Sequence, residues 1–270
     1  MPSAGPERFC TGIGNVIGLS IDASGTLFVA SQSAVSRIAR GSNVVSGSLL
    51  PTLATGETIR AIALAPSGLV EVAIAKQSAA DTLPLHAATT RFAVYPASAL
   101  GPVHEVRSFT CATLRGRVDA ISIDSVGRTY ATTEGDQIAI FGPNASGNIQ
   151  PAELLDGPQT GLRPSLAGGP RGSRPLAFDA EGALYAADDG VIVWYPFQQE
   201  THTHVIPGTL VAGGPRDGLA LVVGLATDTN FFLYAVSYDP DSHQSSLVVL
   251  RGNYRTFLRG MPQRIATIPL

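Results

Sequence analysis

The chain has 270 residues, 44% of them hydrophobic, and a formal net charge of −3, with Lys76 as its single lysine. A chain of this size and hydrophobicity can bury a large core, and its slight acidity without a basic stripe argues against nucleic-acid binding. No apolar run approaches the roughly 18–20 residues that a membrane helix needs, so no membrane span is predicted.

Five segments repeat one pattern along the chain: an apolar strand, an Asp or Ala, a turn that usually contains Gly, and a second strand rich in small and aromatic residues. In chain order they are GLSIDASGTLFVA (18–30), AIALAPSGLVEVA (61–73), AISIDSVGRTYAT (120–132), PLAFDAEGALYAA (175–187) and GLATDTNFFLYAV (224–236). A unit of this length cannot bury its own faces and must stack on its neighbours. The repeat therefore predicts a stack of similar units.

Each unit continues with further strands at regular spacing. The predicted second strands are 27–31, 70–74, 129–133, 184–188 and 233–237, and the predicted third strands are 35–38, 91–95, 137–141, 191–195 and 247–250. A fourth apolar patch follows at Leu53, Phe109, Leu154, Leu210 and Ile265. Four strands per unit without a helical pattern predict an all-β fold, a β-propeller of four-stranded antiparallel blades. A β-sandwich or a β-helix fits less well, because neither has a regular repeat of this length.

The predicted organisation is a single propeller domain over 1–270. The predicted blades are 13–56, 57–113, 114–157, 170–213 and 218–270, with 1–12 as a terminal closing strand. Both 1–12 and Ile265 offer an outer strand to the last blade, so one outer strand is in surplus. Five blades are predicted, and a six-bladed ring is the alternative.

The segment AISIDSVGRTYATTEGDQIAIFGPNASGNIQPAELLDG (120–157) resembles the NHL-type repeat and is similar to units of the gluconolactonase and streptogramin-lyase propellers. The resemblance implies a propeller fold. It also implies, for a calcium-dependent lactonase, a Glu, an Asn and an Asp that hold the metal at the channel mouth, and only Asp119 lies at a comparable place. Asp217 resembles a lactonase Asp-Gly element but stands 11 residues before its repeat position at 228. The lyase-like propellers need a His and a Glu at the central mouth, where none of the five histidines falls.

One group of charged residues is expected at the edge of the ring where the innermost strands begin. Arg60, Asp119 and Arg174 each stand five positions before the Asp or Ala of their repeat. Because charges near the axis must be paired or solvated, they form either a structural bridge between three blades or a clamp for an anion or carboxylate.

A second, acidic group is expected at the same edge, on the connections between second and third strands. It comprises Glu134, Asp136, Asp188, Asp189, Asp239 and Asp241. Oxygen ligands suit Ca²⁺, whereas Asp in tight turns has a conformational role without any metal. Both interpretations stay open.

Two long connections are expected to enlarge this edge into a loop-rich rim. The insertion over 76–90 presents Leu83, Leu85 and His86, and the loop over 157–173 carries two arginines, Arg163 and Arg171. Arg216 and Asp217, in a third connection, complete the predicted binding set. Insertions within repeats usually fall on the binding face.

The sequence thus favours a non-catalytic ligand-binding or protein-interaction propeller that uses this rim for a protein or a small anionic ligand, without a cofactor. The alternative is a metal-assisted hydrolase or lactonase, or a lyase, with Ca²⁺ at the channel mouth. The compartment is left open: the chain is expected to be soluble, and loss of a leader would be consistent with an extracellular or periplasmic location.

Overall fold

The protein is an all-β propeller of five blades with almost no helix. The computed structural model describes residues 15–42, 44–76, 90–114, 116–133, 137–157, 160–162, 174–198, 203–204, 209–213, 218–230, 232–251 and 263–269. The predicted fold class and blade number are confirmed. The predicted closing strand over 1–12 lies outside the described residues.

The first three blades contain four or five strands each. Blade 1 consists of β1 (Gly18–Ile21), β2 (Leu27–Ala30), β3 (Val35–Ile38) and β4 (Val45–Pro51). Blade 2 consists of β5 (Glu57–Leu64), β6 (Leu69–Lys76), β7 (Thr90–Pro96), β8 (Gly101–Val103) and β9 (Arg107–Thr110). Blade 3 consists of β10 (Val118–Ile123), β11 (Thr129–Thr133), β12 (Ile138–Phe141), β13 (Gly147–Asn148) and β14 (Glu153–Leu155).

The last two blades follow the same plan. Blade 4 consists of β15 (Leu176–Phe178), β16 (Leu184–Asp188), β17 (Val191–Tyr195), the small hairpin β18 (Phe197–Gln198) and β19 (Thr203–His204), and β20 (Thr209–Gly213). Blade 5 consists of β21 (Leu221–Thr227), β22 (Phe232–Asp239), β23 (Gln244–Arg251) and β24 (Gln263–Pro269).

Within each blade the main strands pair antiparallel in chain order. Two short parallel pairs join the outer edges of neighbouring blades: β8 of blade 2 pairs with β4 of blade 1, and β13 of blade 3 pairs with β9 of blade 2. The innermost strands β1, β5, β10, β15 and β21 contact one another in that order. These strands surround the axis of the ring.

The hydrophobic core lies between the blades, because each sheet buries its faces against its neighbours. Phe92, Phe109 and Phe141 form an aromatic group between blades 2 and 3, with ring centroids 4.5 to 5.4 Å apart. Further clusters fill the interfaces between blades 1 and 2, 3 and 4, and 4 and 5. On the other face of blade 1, Leu19 and Ile21 are exposed. Among the described residues, no helix has the length and apolar character to cross a membrane.

Candidate functional site

The antiparallel order of the blades gives the ring two distinct edges. The rim, as predicted, carries the entries into the innermost strands and the connections between second and third strands. The opposite edge, which we call the turn face, carries the turns between first and second strands and the connections that follow the third strands.

The repeated Asp holds each turn of the turn face by bonding to its backbone. In blade 3, Asp124 Oδ1 accepts hydrogen bonds from the backbone N–H groups of Val126 (3.1 Å) and Arg128 (2.8 Å). Asp22, Asp179 and Asp228 accept the equivalent pair of bonds in blades 1, 4 and 5. Burial raises the pKa of Asp179 despite these bonds. The carboxylates are therefore structural parts of the turns.

A tyrosine six residues after the Asp binds its second oxygen in three blades. Tyr130, Tyr185 and Tyr234 donate their hydroxyl groups to Oδ2 of Asp124, Asp179 and Asp228, at 3.2, 3.3 and 3.1 Å. In blades 3 and 4 this tyrosine also packs into the core shared with the following blade.

Blade 2 departs from the repeat at both of these positions. Its turn keeps the usual backbone bonds, with Ala65 N–H donating to the Leu69 carbonyl and Gly68 N–H donating to the Ala65 carbonyl. However, Ala65 replaces the Asp, and Glu71 stands where the tyrosine is expected. The acidic group has thus moved from the turn to the second strand.

Glu71 is one of the most deeply buried charged residues described, with 1% of its surface exposed. Its Oε2 accepts a hydrogen bond from the Thr129 hydroxyl of blade 3 at 3.0 Å, whereas its Oε1 is buried without a hydrogen-bond partner. Burial raises the pKa of Glu71 to about 7, although the Thr129 bond and the charge of Arg107 favour the ionised form. An unpartnered buried carboxylate oxygen is costly and calls for an explanation.

Glu71 and Arg107 line a cleft of about 300 Å³ between blades 2 and 3. Ala65 and Leu69 line it from blade 2, and the turn over 123–127 lines it from blade 3. The Arg107 guanidinium, half-buried, donates a hydrogen bond to the Pro143 carbonyl oxygen. The cleft therefore combines a carboxyl group and a guanidinium group with mixed walls, which include the polar residues Ser67, Ser125 and Asn144.

A larger cleft, of about 490 Å³, lies between blades 3 and 4 on the same face. Arg128, Glu181 and Phe197 line it. The Arg128 guanidinium forms an ion pair with Asp124 (Nε–Oδ2, 2.6 Å) and lies 5.2 Å from the centre of the Phe197 ring. An arginine held between a carboxylate and an aromatic ring is oriented for contact with a ligand.

The buried His204 packs behind this cleft. Its ring lies 5.4 Å from the Tyr130 ring and 5.3 Å from the Phe197 ring. Burial, with the nearby positive charge of Arg128, lowers the pKa of His204 to about 4. The imidazole is therefore neutral at pH 7 and acts as part of the packing.

The two clefts are adjacent parts of one surface. Ser125 and Val126, at the tip of the blade 3 turn, line both of them. Val126 is 65% exposed. The turn face thus presents a projecting apolar side chain with a cleft that contains charged side chains on either side.

At the rim, Arg174 and Asp188 form a buried ion pair. The Arg174 Nε donates to Asp188 Oδ1 at 3.0 Å, and both residues are almost fully buried. Arg174 Nη1 also donates to the Thr133 carbonyl oxygen, and the Thr132 hydroxyl donates to the Arg174 carbonyl oxygen, both at 2.8 Å. The pair ties blade 4 to blade 3, and the guanidinium engages Asp188, which was predicted as a metal ligand.

The other two members of the predicted charged trio occupy equivalent backbone positions. Arg60 and Asp119 each lie at a register shift within the innermost strand, where a residue bulges out of the pairing, and Val223 lies at the corresponding shift in blade 5. Bulges redirect side chains at the ends of strands. Both charged residues are half-buried on the rim.

The remaining acidic residues of the predicted metal group have local roles where they are described. Asp189 adopts a φ of 52°, and its carbonyl oxygen accepts a bond from Val222 N–H of blade 5 at 2.7 Å. Asp239 accepts bonds from Asp241 N–H and the Ser242 hydroxyl within its own loop. Among the described residues, no group of three or more His, Cys, Asp or Glu could hold a metal ion.

Several predicted site residues lie outside the described residues. They are Leu83, Leu85, His86, Glu134, Asp136, Arg216 and Asp217. The roles predicted for them, including the Ca²⁺ site and the absence of a cofactor, stay predictions.

No protein-family model matches the sequence, and a search of curated proteins gives no match either. Solved structures match at the level of fold. A protein of unknown function from Bacteroides caccae is 14% identical, with a TM-score of 0.59 over 87% of this chain and 77% of that one. A chain of the mitotic checkpoint complex is 11% identical, with a TM-score of 0.55 over 94% and 77%. The WD40 domain of Toxoplasma gondii coronin is 10% identical, with a TM-score of 0.51 over 97% and 61%.

These similarities show a propeller fold, which commonly serves as a protein-interaction scaffold. They do not place the chain in the NHL or gluconolactonase group. Sequence reasoning missed Glu71. An alignment of the five repeats would have revealed it, because the position six residues after the Asp or Ala holds one phenylalanine and three tyrosines in the other four repeats.

Proposed function

We propose that the protein is a non-catalytic interaction propeller that binds a partner protein through its turn face. The observation that carries the proposal is the continuous surface around Val126, in which one exposed apolar side chain stands between two clefts that contain charged side chains. An apolar contact surrounded by polar groups is the usual arrangement at the centre of a protein interface.

The chemistry of the described acidic groups favours binding over catalysis. The repeated carboxylates of the turn face hold their own turns, and Asp188 is buried against Arg174. Arg128, with its planar guanidinium fixed by Asp124, suits recognition of a carboxylate or a backbone carbonyl of a partner.

The loop-rich rim is the competing surface. Its case depends on the sequence of the insertion over 76–90 and the loop over 157–173, most of which lie outside the described residues. If the rim is the binding surface, deleting residues 78–88 should abolish partner capture and leave folding intact.

A pair of matched valine variants separates the two surfaces. Val126→Glu introduces a charge at the tip of the turn face, whereas Val16→Glu introduces the same change at an exposed valine (52% exposed) beside the start of β1, at the rim. We expect Val126→Glu to weaken capture of the partner by at least about tenfold, the effect of losing about 1.4 kcal/mol of contact energy. Val16→Glu should bind as the unmodified protein does.

The measurement is quantitative pull-down from an extract of the source organism, with unfolding curves to show that both variants are folded. Equal capture by the Val126→Glu and unmodified proteins, or loss of capture with Val16→Glu alone, would refute binding through the turn face.

A further inference from the structure

We infer that the cleft between blades 2 and 3 is a binding site for a small zwitterion of the amino-acid class, whose ammonium group binds Glu71 and whose carboxylate binds Arg107. This inference does not depend on the partner proposed above, because a free small molecule would occupy the cleft by itself.

One oxygen of Glu71 has no hydrogen-bond partner. Buried polar atoms are nearly always hydrogen-bonded, and Oε1 of this 1%-exposed side chain has no partner among the described groups, while Oε2 is held by Thr129. In its ionised form the carboxyl group accepts and does not donate, so the group that completes Oε1 of the carboxylate must carry an N–H or O–H donor. An ammonium group supplies three such donors together with the opposite charge.

The two charges of the cleft, Glu71 and Arg107, also favour a zwitterion. Arg107 lies on β9 close enough to Glu71 for its charge to favour the carboxylate, and it lines the same cleft. Its guanidinium uses Nη1 for the Pro143 carbonyl, and the side chain is half-buried, so its remaining N–H donors are the groups that a carboxylate in the cleft would engage. A simple cation would be repelled by Arg107 and a simple anion by Glu71, whereas a zwitterion satisfies both groups.

The size and the apolar residues of the walls indicate what kind of side chain the ligand carries. Leu69, Val94 and Ile123 line the cleft beside the two charged groups. A volume of about 300 Å³ accommodates a small molecule with a short apolar side chain. The apolar part of the walls therefore suits an amino acid with a short aliphatic side chain, such as leucine.

Blade 2 also departs from the repeat at the two positions that line this cleft. Blades 3, 4 and 5 fill this position with an Asp and a Tyr bonded to each other, and blade 2 replaces the two with Ala65 and Glu71 while its turn keeps the same backbone bonds. The exchange removes an aromatic ring and an internally satisfied carboxylate. It leaves a buried acid with one unsatisfied oxygen beside the cleft.

Binding should depend on pH through Glu71. The charged group facing it among the described residues is Arg107, and the neutral Thr129 hydroxyl faces it from β11. Because the pKa of Glu71 is about 7 in the folded protein, the carboxylate that attracts an ammonium group is depleted below that pH. Affinity should fall by up to about tenfold per pH unit below pH 7.

The direct test is titration calorimetry of the full chain with three related probes. We expect L-leucine to bind, and we expect L-leucinamide, which lacks the carboxylate, and N-acetyl-L-leucine, which lacks the ammonium group, to bind at least about tenfold more weakly. Because this comparison uses the unmodified protein, it requires no variant to fold. Absence of L-leucine binding at millimolar concentration, or equal affinity for all three probes, would overturn the inference.

Variants then assign the contacts. Glu71→Gln should bind L-leucine more weakly and lose the pH dependence, and Arg107→Gln should reduce the preference for L-leucine over L-leucinamide. The double variant Ala65→Asp with Glu71→Tyr restores the pattern of blades 3 to 5 and should fold without binding. If the folded double variant still binds L-leucine, the proposed site is contradicted. If it no longer binds L-leucine but captures the partner as before, the site is supported and is separate from the protein-binding surface.

Discussion

The buried ion pair between Arg174 and Asp188 allows a stability prediction to be worked out from the structure. The two side chains expose only 4% and 3% of their surface, and Nε and Oδ1 are 3.0 Å apart. Replacing Asp188 by Asn removes the negative charge and preserves the shape of the side chain. The guanidinium then loses its ionic partner inside the protein, which costs about 3–5 kcal/mol in comparable buried pairs.

This cost is large relative to the stability of a domain, which is about 5–15 kcal/mol. With an unfolding entropy of about 2.1 cal/mol/K per residue, a chain of 270 residues should lose about 5–9 °C in its melting temperature. The double variant Arg174→Met with Asp188→Leu removes both charges, so it should recover at least half of the loss.

Calorimetry and urea unfolding of the two variants and the unmodified protein measure these effects. A loss of less than about 1 kcal/mol for Asp188→Asn would refute the reasoning, because such values are typical of solvated pairs. A small loss would instead favour the predicted trio, because Asp119 would then still balance the charge of Arg174 after Asp188 is replaced.

Two further predictions concern single side chains. The pKa of Glu71 is raised to about 7 when folded, so its stabilising contribution is fully present below about pH 4.5 and is lost as the pH rises through 7. Glu71→Gln, which does not titrate, should therefore have the same free energy of unfolding as the unmodified protein near pH 5. Near pH 9 its free energy of unfolding should be higher by up to about 3 kcal/mol. If urea unfolding gives the same difference between the two proteins at both pH values, the assignment is contradicted. Gly190→Ala should lower the free energy of unfolding by about 1–3 kcal/mol, because the added Cβ would lie 2.5 Å from the Ala220 carbonyl oxygen of the neighbouring blade. An unchanged melting temperature would show that the two backbone segments can move apart there.

Much of the fold was predictable because local signals set it. The Asp-x-x-Gly turns fix the hairpins, and the predicted strands Thr129–Thr133 and Val191–Tyr195 match the structure. The strands Gly101–Val103 and Gly147–Asn148 were missed, since their pairing partners belong to neighbouring blades and leave no periodic pattern in their own sequence. Leu53 was predicted in a fourth strand that ends instead at Pro51.

The site was less predictable, because it depends on which residues meet across strands and blades. Arg174 and Asp188 were assigned to separate groups, although the pairing of Leu176 with Ala186 places them opposite each other in one hairpin. The burial of Glu71 against Thr129 depends on contact between two blades, which spacing along the chain does not reveal. The repeat alignment would have marked Glu71 as exceptional but not as buried.

Hydrogen exchange of the protein in complex with its captured partner tests binding through the turn face most directly. Slower exchange is expected in the turns over 65–69, 124–128 and 179–183, with unchanged exchange at the rim segments 57–61 and 188–191. Protection confined to those rim segments would contradict the proposed binding surface.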